Sequence, residues 1–378
     1  MKHTTIDGPI VFLGDLHFGV KKSSAEFFEN QMLIFEEQIF PYMKKNNIKY
    51  IFQFGDFFDH RTNTDIRMIK NLRDRLFNYM KENDIIMYSL IGNHDIYYRE
   101  NRDISLIEHF EDLYPDNFSL FKEKETVTMN GANVFVIPWL TENDVLEPSE
   151  LKGKDYIFGH LEIRNFAVVK GHLDETSKLT SDFFKRGFNI KNVFSGHYHI
   201  KSTDGLIYYL GTPFALNWND YDEPKGFYIW DEEQKLKYIS NTSSKKFVKI
   251  KYNDESEKGL IEISGLYDKP KFYDMTGFVK KLKELQKHEI KFFVNKAKDT
   301  KYDEYLYLLK EKCINFTLIN NQLVTELIEI DYVGDEEIPE DNESTRQLIT
   351  RTVKENNPSL VVLLNEIFTE LDSVMLGE

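Results

Sequence analysis

The sequence predicts a layered α/β sandwich, and three observations carry that expectation. The first 240 residues open as β-α-β-α-β and continue as mostly β structure. Hydrophobic residues make up 41% of the 378, enough for ordinary cores, and the single cysteine, Cys313, excludes a disulfide scaffold or a thiolate metal cluster. Short apolar runs repeatedly end in Gly followed by polar residues, the layout of strands whose carboxyl ends meet at one crevice.

Taken in order, Ile10-Val11-Phe12-Leu13 reads as the first strand, residues 27–45 as an amphipathic helix and Tyr50-Ile51-Phe52-Gln53-Phe54 as the second strand. Residues 65–83 read as a second helix, with Ile66, Ile69, Leu72, Leu76, Phe77 and Met80 on one side. A third strand covers 85–91, and later runs at 133–137, 155–158, 192–194, 207–210 and 226–230 continue the β pattern. After a polar break at 241–244, a strand at 246–252 opens a smaller α/β unit. There 271–286 and 303–312 read as mixed or helical around a short strand at 290–294. Residues 332–344 are acidic, contain Gly334 and Pro339, and read as a linker. Two helices follow, 345–355 and 359–375, separated by Asn356-Asn357-Pro358. On the second, Leu360, Leu364, Ile367, Leu371 and Val374 share one face, with Leu363 and Phe368 beside it. That face either packs on its own protein or docks a partner; the pattern alone leaves both open.

The formal charge of −15 looks wrong for a nucleic-acid binder, but it is unevenly spread. Residues 326–378 hold 14 acidic against 3 basic residues, whereas 244–301 hold 15 Lys against 9 acidic residues. The chain thus has a nearly neutral body, a Lys-rich middle and an acidic tail, each of which is also consistent with a plain solvated surface. Composition excludes collagen-like, coiled-coil and wholly disordered chains. Residues 1–9 lack the pattern of a signal peptide, and the apolar run 360–364 is too short to span a bilayer, so a soluble cytoplasmic protein is expected.

Five strand candidates end in residues able to hold metal. They are Gly14-Asp15-Leu16-His17, Gly55-Asp56-Phe57-Phe58-Asp59, Gly92-Asn93-His94-Asp95, Gly159-His160 and Gly196-His197-Tyr198-His199. Any one of them alone is a common turn. Together they hold 5 of the chain's 10 histidines. His197 and His199 are two apart, so on a strand both would point to one face. Carboxylate, imidazole and amide ligands without thiolate favour Mn, Fe, Zn or Mg. The ligands are too many for one ion, and Asp56 is the natural bridge between two. Two ions about 3.5–4 Å apart clamp the attacking and leaving oxygens of a phosphate ester, which is phosphoester hydrolysis.

As an ordered set, these motifs resemble the calcineurin-like metallophosphoesterase superfamily. Within it the chain is similar to the SbcD-type nuclease subunit of double-strand-break repair complexes, most closely its compact phage form. The motifs cover roughly residues 10–215. The resemblance implies a four-layer α-β-β-α metallophosphoesterase sandwich over 1–240, a small α/β capping, DNA-binding domain over 241–331, the acidic linker 332–344, and C-terminal helices over 345–378.

By that resemblance Asp15, His17, Asp56 and His199 hold one Mn2+, and Asp56, Asn93, His160 and His197 hold a second, with Mg2+ as substitute. His94 faces the phosphate and protonates the leaving oxygen, and Asp95 orients His94 through a hydrogen bond. Thr212, in Tyr209-Leu210-Gly211-Thr212-Pro213, shapes the site. The resemblance further implies a homodimer bound to an SbcC-type coiled-coil ABC ATPase and acting on double-stranded DNA ends. Leu360, Leu364, Ile367, Phe368 and Leu371 would grip that ATPase, and Lys280, Lys281 and Lys283 would contact DNA phosphates. Two departures stand out. Cellular repair nucleases carry His three residues after the bridging Asp, where this chain has Asp59, with His60 next to it. The long insertions of cellular members are absent. Asp59-His60-Arg61 also lacks the Asp-Arg-Gly of the serine/threonine phosphatases.

The leading expectation is therefore a Mn-dependent DNA exonuclease or endonuclease in recombination and repair. The alternatives are a phosphoesterase for nucleotides or other small phosphoesters, and a non-catalytic scaffold. The C-terminal helix pair argues against the first alternative, and the intact ligand set against the second.

Overall fold

A computed structural model describes residues 5–186, 188–253, 260–267, 269–294, 300–312 and 316–320. The acidic linker, the two C-terminal helices with their five anchor positions, and Cys313 lie outside the described residues. All described residues belong to one compact unit, Met1–Glu329.

Two sheets stack face to face. One has six strands in the order Leu236–Ser240, Gly226–Trp230, Ile10–Leu13, Tyr50–Gln53, Ile86–Leu90, Phe118–Phe121. Its last four strands run parallel, while Gly226–Trp230 pairs antiparallel with Ile10–Leu13. The other has seven strands, among which Ala132–Ile137, Tyr156–His160, Asn192–Gly196 and Ile207–Tyr209 are parallel neighbours. The core between the sheets is aromatic. Phe12 meets Phe158 edge-on at 5.0 Å and stacks on Trp230 at 5.7 Å, and Phe52 meets Phe158 at 5.0 Å. Alternate residues of these strands face opposite ways, so Phe12 enters this core while Val11 and Leu13 enter the outer one. Burial on both faces is why the strands read as unbroken apolar runs.

The outer face of the six-stranded sheet is covered by two long helical stretches. One runs through Ala25–Ile34, a π turn at Phe35–Ile39 and Phe40–Lys45; the other through Ile66–Leu72, a π turn at Arg73–Phe77 and Asn78–Glu82. Ser24 and Asp65 cap their first turns, accepting from the amides of Phe27 and Arg67. Phe40 stacks on Tyr79 at 4.0 Å between them. Ile66 is 83% exposed, which corrects its expected place on the buried side. It is the first helical residue after the Asp65 cap and precedes the turns that reach the core. The fourth layer, over the seven-stranded sheet, is thin: a single turn at Pro148–Leu151 and the short helix Ser181–Lys185.

Residues 247–320 build a separate five-stranded sheet, ordered Lys271–Tyr273, Leu260–Ser264, Phe247–Asn253, Glu289–Val294, Phe316–Asn320. Val248, Ile250, Ile290 and Phe292 form its core with Phe278 and Leu282 of the helix Met275–Leu285 and Leu309 of Thr300–Lys312. Phe247 and Lys291 pack against Trp218, at 4.8 and 4.3 Å from its ring. No helix among the described residues is long and apolar enough to cross a membrane.

Candidate metal centre

All five polar clusters meet at the carboxyl ends of parallel strands from both sheets. Three follow Ile10–Leu13, Tyr50–Gln53 and Ile86–Leu90; the others end or follow Tyr156–His160 and Asn192–Gly196. The turns are tied together before any ligand is considered. The amides of Leu16 and His17 donate to the Asp56 carbonyl at 2.9 and 3.0 Å. Gln53, wholly buried, donates to the carbonyls of Gly14 and Gly55 and accepts from Ser89 Oγ. Gln31 donates to the carbonyls of Leu16 and His17. Glycines here are required for space: a Cβ on Gly92 would lie 2.2 Å from Asp56 Oδ1, and one on Gly55 2.4 Å from His160 Nδ1. His17, Asp56 and His197 take positive φ of 44°, 54° and 88°, a strained conformation held by these ties.

The side chains form two adjoining pockets. In one, His17 Nε2 lies 2.9 Å from His199 Nε2, and His199 Nε2 lies 3.8 Å from Asp15 Oδ2. In the other, Asn93 Oδ1 lies 3.0 Å from His160 Nε2 and 3.1 Å from His197 Nδ1. Asp56 Oδ2 faces both, 3.7 Å from His17 Nε2 and 3.4 Å from His160 Nε2. Asp15, His17 and His199 form one set able to hold an ion, and Asp56, His160 and His197 another. His17, Asp56 and His94 form a third such set.

The donor chemistry fits a cation in each pocket. His160 Nδ1 lies 2.7 Å from the Phe54 carbonyl, which only accepts, so the ring proton is there and Nε2 presents its lone pair inward. It then faces two further acceptors, Asn93 Oδ1 and Asp56 Oδ2, a convergence that only a proton or a metal ion relieves. Titration reflects the same demand. Burial opposes charge on His17, yet Asp59, Asp56 and Asp15 push it up to about 9. Burial likewise opposes charge on His160, and Asp56 and Asp15 push it up to about 9. Burial and the charge on His160 drive His197 down to about 3, and burial with His17 drives His199 well below the usual range. Those two imidazoles stay neutral, with lone pairs available. Burial raises Asp15 to about 6, whereas His160, His94 and His17 overcome burial and hold Asp56 well below normal.

His197 and His199 do not share a face. The strand ends at Gly196, and His197 takes a left-handed backbone, so the pair splits, one histidine to each pocket. The expected hydrogen bond from Asp95 to His94 is also corrected. Asp95 Oδ1 accepts from the amides of Phe57 and Phe58 at 2.9 and 3.1 Å, and Oδ2 from Gly92 at 2.9 Å. Its carboxylate fastens the second turn to the third. His94 is instead oriented by the Asp59 carbonyl, 2.7 Å from Nδ1. Its own amide donates to Asp56 Oδ1 at 2.8 Å. Asp59 takes a further part: Oδ1 lies 3.3 Å from His17 Nδ1, and Oδ2 3.3 Å from His60 Nε2.

Residues 8–229, more than half the chain, match the model of the calcineurin-like phosphoesterase family. The chain belongs to that family. It is also 29% identical over 239 residues to Exonuclease subunit 1 of Enterobacteria phage T4, covering 62% of this chain and 68% of the relative.

Several supports of this phosphoesterase centre went unread in the sequence. Gln53 had a signal, a polar residue inside an apolar strand run. Lys225 had none. Its Nζ donates to the His199 carbonyl at 2.9 Å and Thr212 Oγ1 at 2.7 Å while paired with Asp220. Trp139 packs against His197 and His160, ring centres 5.1 and 6.0 Å away. Away from the centre, Lys280 and Lys283 lie exposed on Met275–Leu285. Lys281 on the same helix pairs with Glu284 at 2.9 Å and lies over the Tyr267 ring.

Proposed function

We propose that this chain is a metal-dependent DNA nuclease, hydrolysing phosphodiesters at double-stranded ends as the catalytic subunit of a recombination and repair complex. The observation that carries the reading is the pair of adjoining acceptor pockets sharing Asp56, in a phosphoesterase similar to an exonuclease subunit. In this reading Asp15, His17, Asp56 and His199 hold one ion, and Asp56, Asn93, His160 and His197 the second, with Mn2+ preferred and Mg2+ as substitute. Two divalent ions there would supply Lewis-acid charge to the phosphate and acidify an attacking water.

The chain's own residues do the rest. His94, its Nδ1 proton held by the Asp59 carbonyl, must take up a second proton at Nε2 from solvent, and as imidazolium it gives that proton to the leaving ester oxygen as the P–O bond breaks. Burial lowers the His94 pKa, which makes the imidazolium a stronger acid and the neutral ring the commoner form. Asp59 faces His17 and holds it in place. We assign residues 1–240 to the nuclease domain, 241–331 to a capping domain whose exposed Lys280 and Lys283 contact DNA, and 345–378 to docking an SbcC-type coiled-coil ATPase. The working particle is a cytoplasmic homodimer bound to that ATPase.

The reading is tested by degradation of end-labelled linear double-stranded DNA, by wild type and His94→Ala, with and without the co-expressed ATPase. Loss of full-length DNA that requires both Mn2+ and His94 is expected. No DNA cleavage in any combination, with hydrolysis of a small phosphodiester retained, would overturn it in favour of a small-molecule enzyme.

A further inference from the structure

The segment Gly196-His197-Tyr198-His199 sends one histidine to each pocket, so whatever fixes Tyr198 between them fixes both. Three contacts hold the segment. At one end the His197 amide donates to both oxygens of Asp15, at 3.1 and 3.0 Å. At the other, the His199 carbonyl accepts from Lys225 Nζ at 2.9 Å and from the Thr212 amide at 3.2 Å. In the middle, the Tyr198 hydroxyl donates to Asp174 Oδ2 at 2.5 Å.

Asp174 is built for that task. It lies 24 residues earlier in the chain and is 7% exposed. Oδ1 accepts from the amides of Thr176 and Ser177 at 2.7 and 3.0 Å and from Thr176 Oγ1 at 3.1 Å. Oδ2 accepts from Ser177 Oγ as well as Tyr198. A carboxylate taking five donors is held rigidly and stays ionised. Its backbone is fixed too: its amide donates to the Phe166 carbonyl, and its carbonyl accepts from the Asn165 amide. Tyr198 itself is 4% exposed, with its ring against Tyr209 at 4.6 Å and His197 at 4.9 Å.

We infer that Asp174 and Tyr198 are positioning residues for both metal pockets: their hydrogen bond sets the split of His197 and His199. The inference rests on the metal-centre reading above. Groups that orient ligands in this way typically contribute about 10–100-fold to metal affinity.

The experiment is Mn2+ titration of the full-length chain, followed by the electron paramagnetic resonance signal of free Mn2+. It compares wild type, Tyr198→Phe, Asp174→Asn and Tyr114→Phe, each with its melting temperature in EDTA. Tyr198→Phe keeps the ring packing and removes only the donor. It is expected to bind Mn2+ at least about tenfold more weakly while melting near wild type. Tyr114→Phe is the structural control, since its hydroxyl donates to Asn78 Oδ1 at 2.7 Å and neither residue adjoins a ligand or the histidine segment. It is expected to lower the melting temperature with affinity retained. Asp174→Asn is expected to lose affinity further, and if it fails to fold, Tyr198→Phe decides alone. Wild-type affinity in Tyr198→Phe would overturn the inference. A wild-type chain that takes up no Mn2+ would overturn the metal-centre reading instead.

Discussion

The carbonyl oxygen of Asp59 lies 2.7 Å from Nδ1 of His94. A carbonyl cannot donate, so this contact places the ring proton on Nδ1 and turns Nε2 toward the pockets. The tautomer is thus set by backbone, and the Asp59 side chain remains available to His17.

In the proposed chemistry His94→Ala removes the general acid and leaves the ligand set standing. The turnover number should fall about 10²–10⁴-fold. Mn2+ affinity by calorimetry should stay within a few-fold of wild type. A variant with unimpaired turnover would remove His94 from the chemistry.

Asp95→Ala should behave differently, because Asp95 holds backbone rather than His94. Deleting it leaves the amides of Phe57, Phe58 and Gly92 without acceptors. A loss of about 2–5 kcal/mol is expected, read from denaturant unfolding in EDTA. His94→Ala should show no comparable loss. Equal stabilities would contradict the contact.

The lysines divide by their partners. Lys281 is paired with Glu284, while Lys280 and Lys283 project from the same helix. Replacing Lys280 and Lys283 by Glu should weaken DNA binding and flatten the slope of log affinity against log salt by about 2. Lys281→Ala should leave that slope alone. A slope unchanged in the double variant would remove this helix from the DNA surface.

How far the sequence alone reaches shows at particular residues. Phe12, Phe52 and Phe158 were readable as strand core because both faces of their strands are buried. The glycine-led clusters were readable because close approach at Gly55 and Gly92 leaves a one-letter signature. The same-face expectation for His197 and His199 holds only on a strand, and the strand stops at Gly196; their division between two ions comes from the resemblance alone. The resemblance gives Asp95 to His94, whereas three backbone amides that only the folded turns bring near take its carboxylate. The helix Glu108–Leu113 and the strands Phe118–Phe121 and Glu125–Met129 are structural elements that the sequence pattern does not announce. The strand Glu125–Met129 buries only Val127 and Met129, a weak pattern. Lys225 and Asp174 carry no local signal of these roles, because the residues through which they reach the centre, His199 and Tyr198, lie 26 and 24 residues away.

The five-stranded sheet carries a pH dependence. The Lys246 amide donates to His288 Nδ1 at 3.1 Å, which requires that nitrogen bare. Burial, with the charge of Lys246, lowers His288 to about 4. In the unfolded chain it takes its proton near 6.5. Between those values the unfolded state binds more protons, so stability falls as pH drops from about 6.5 to about 4. The loss should be about 1–3 kcal/mol. His288→Asn keeps an acceptor and removes the titration. The stability difference between the two proteins should shift by that amount between pH 7 and pH 4.5, and a constant difference would contradict it.

The central claim is that one carboxylate, Asp56, serves two metal pockets, 3.7 Å from His17 on one side and 3.4 Å from His160 on the other. The most direct measurement is Mn2+ stoichiometry by equilibrium dialysis, for wild type, Asp56→Asn and Asp15→Asn. Wild type should bind two ions, Asp15→Asn should retain the ion beside His160, and Asp56→Asn should lose tight binding at both. Two ions bound at wild-type affinity by Asp56→Asn would contradict the account.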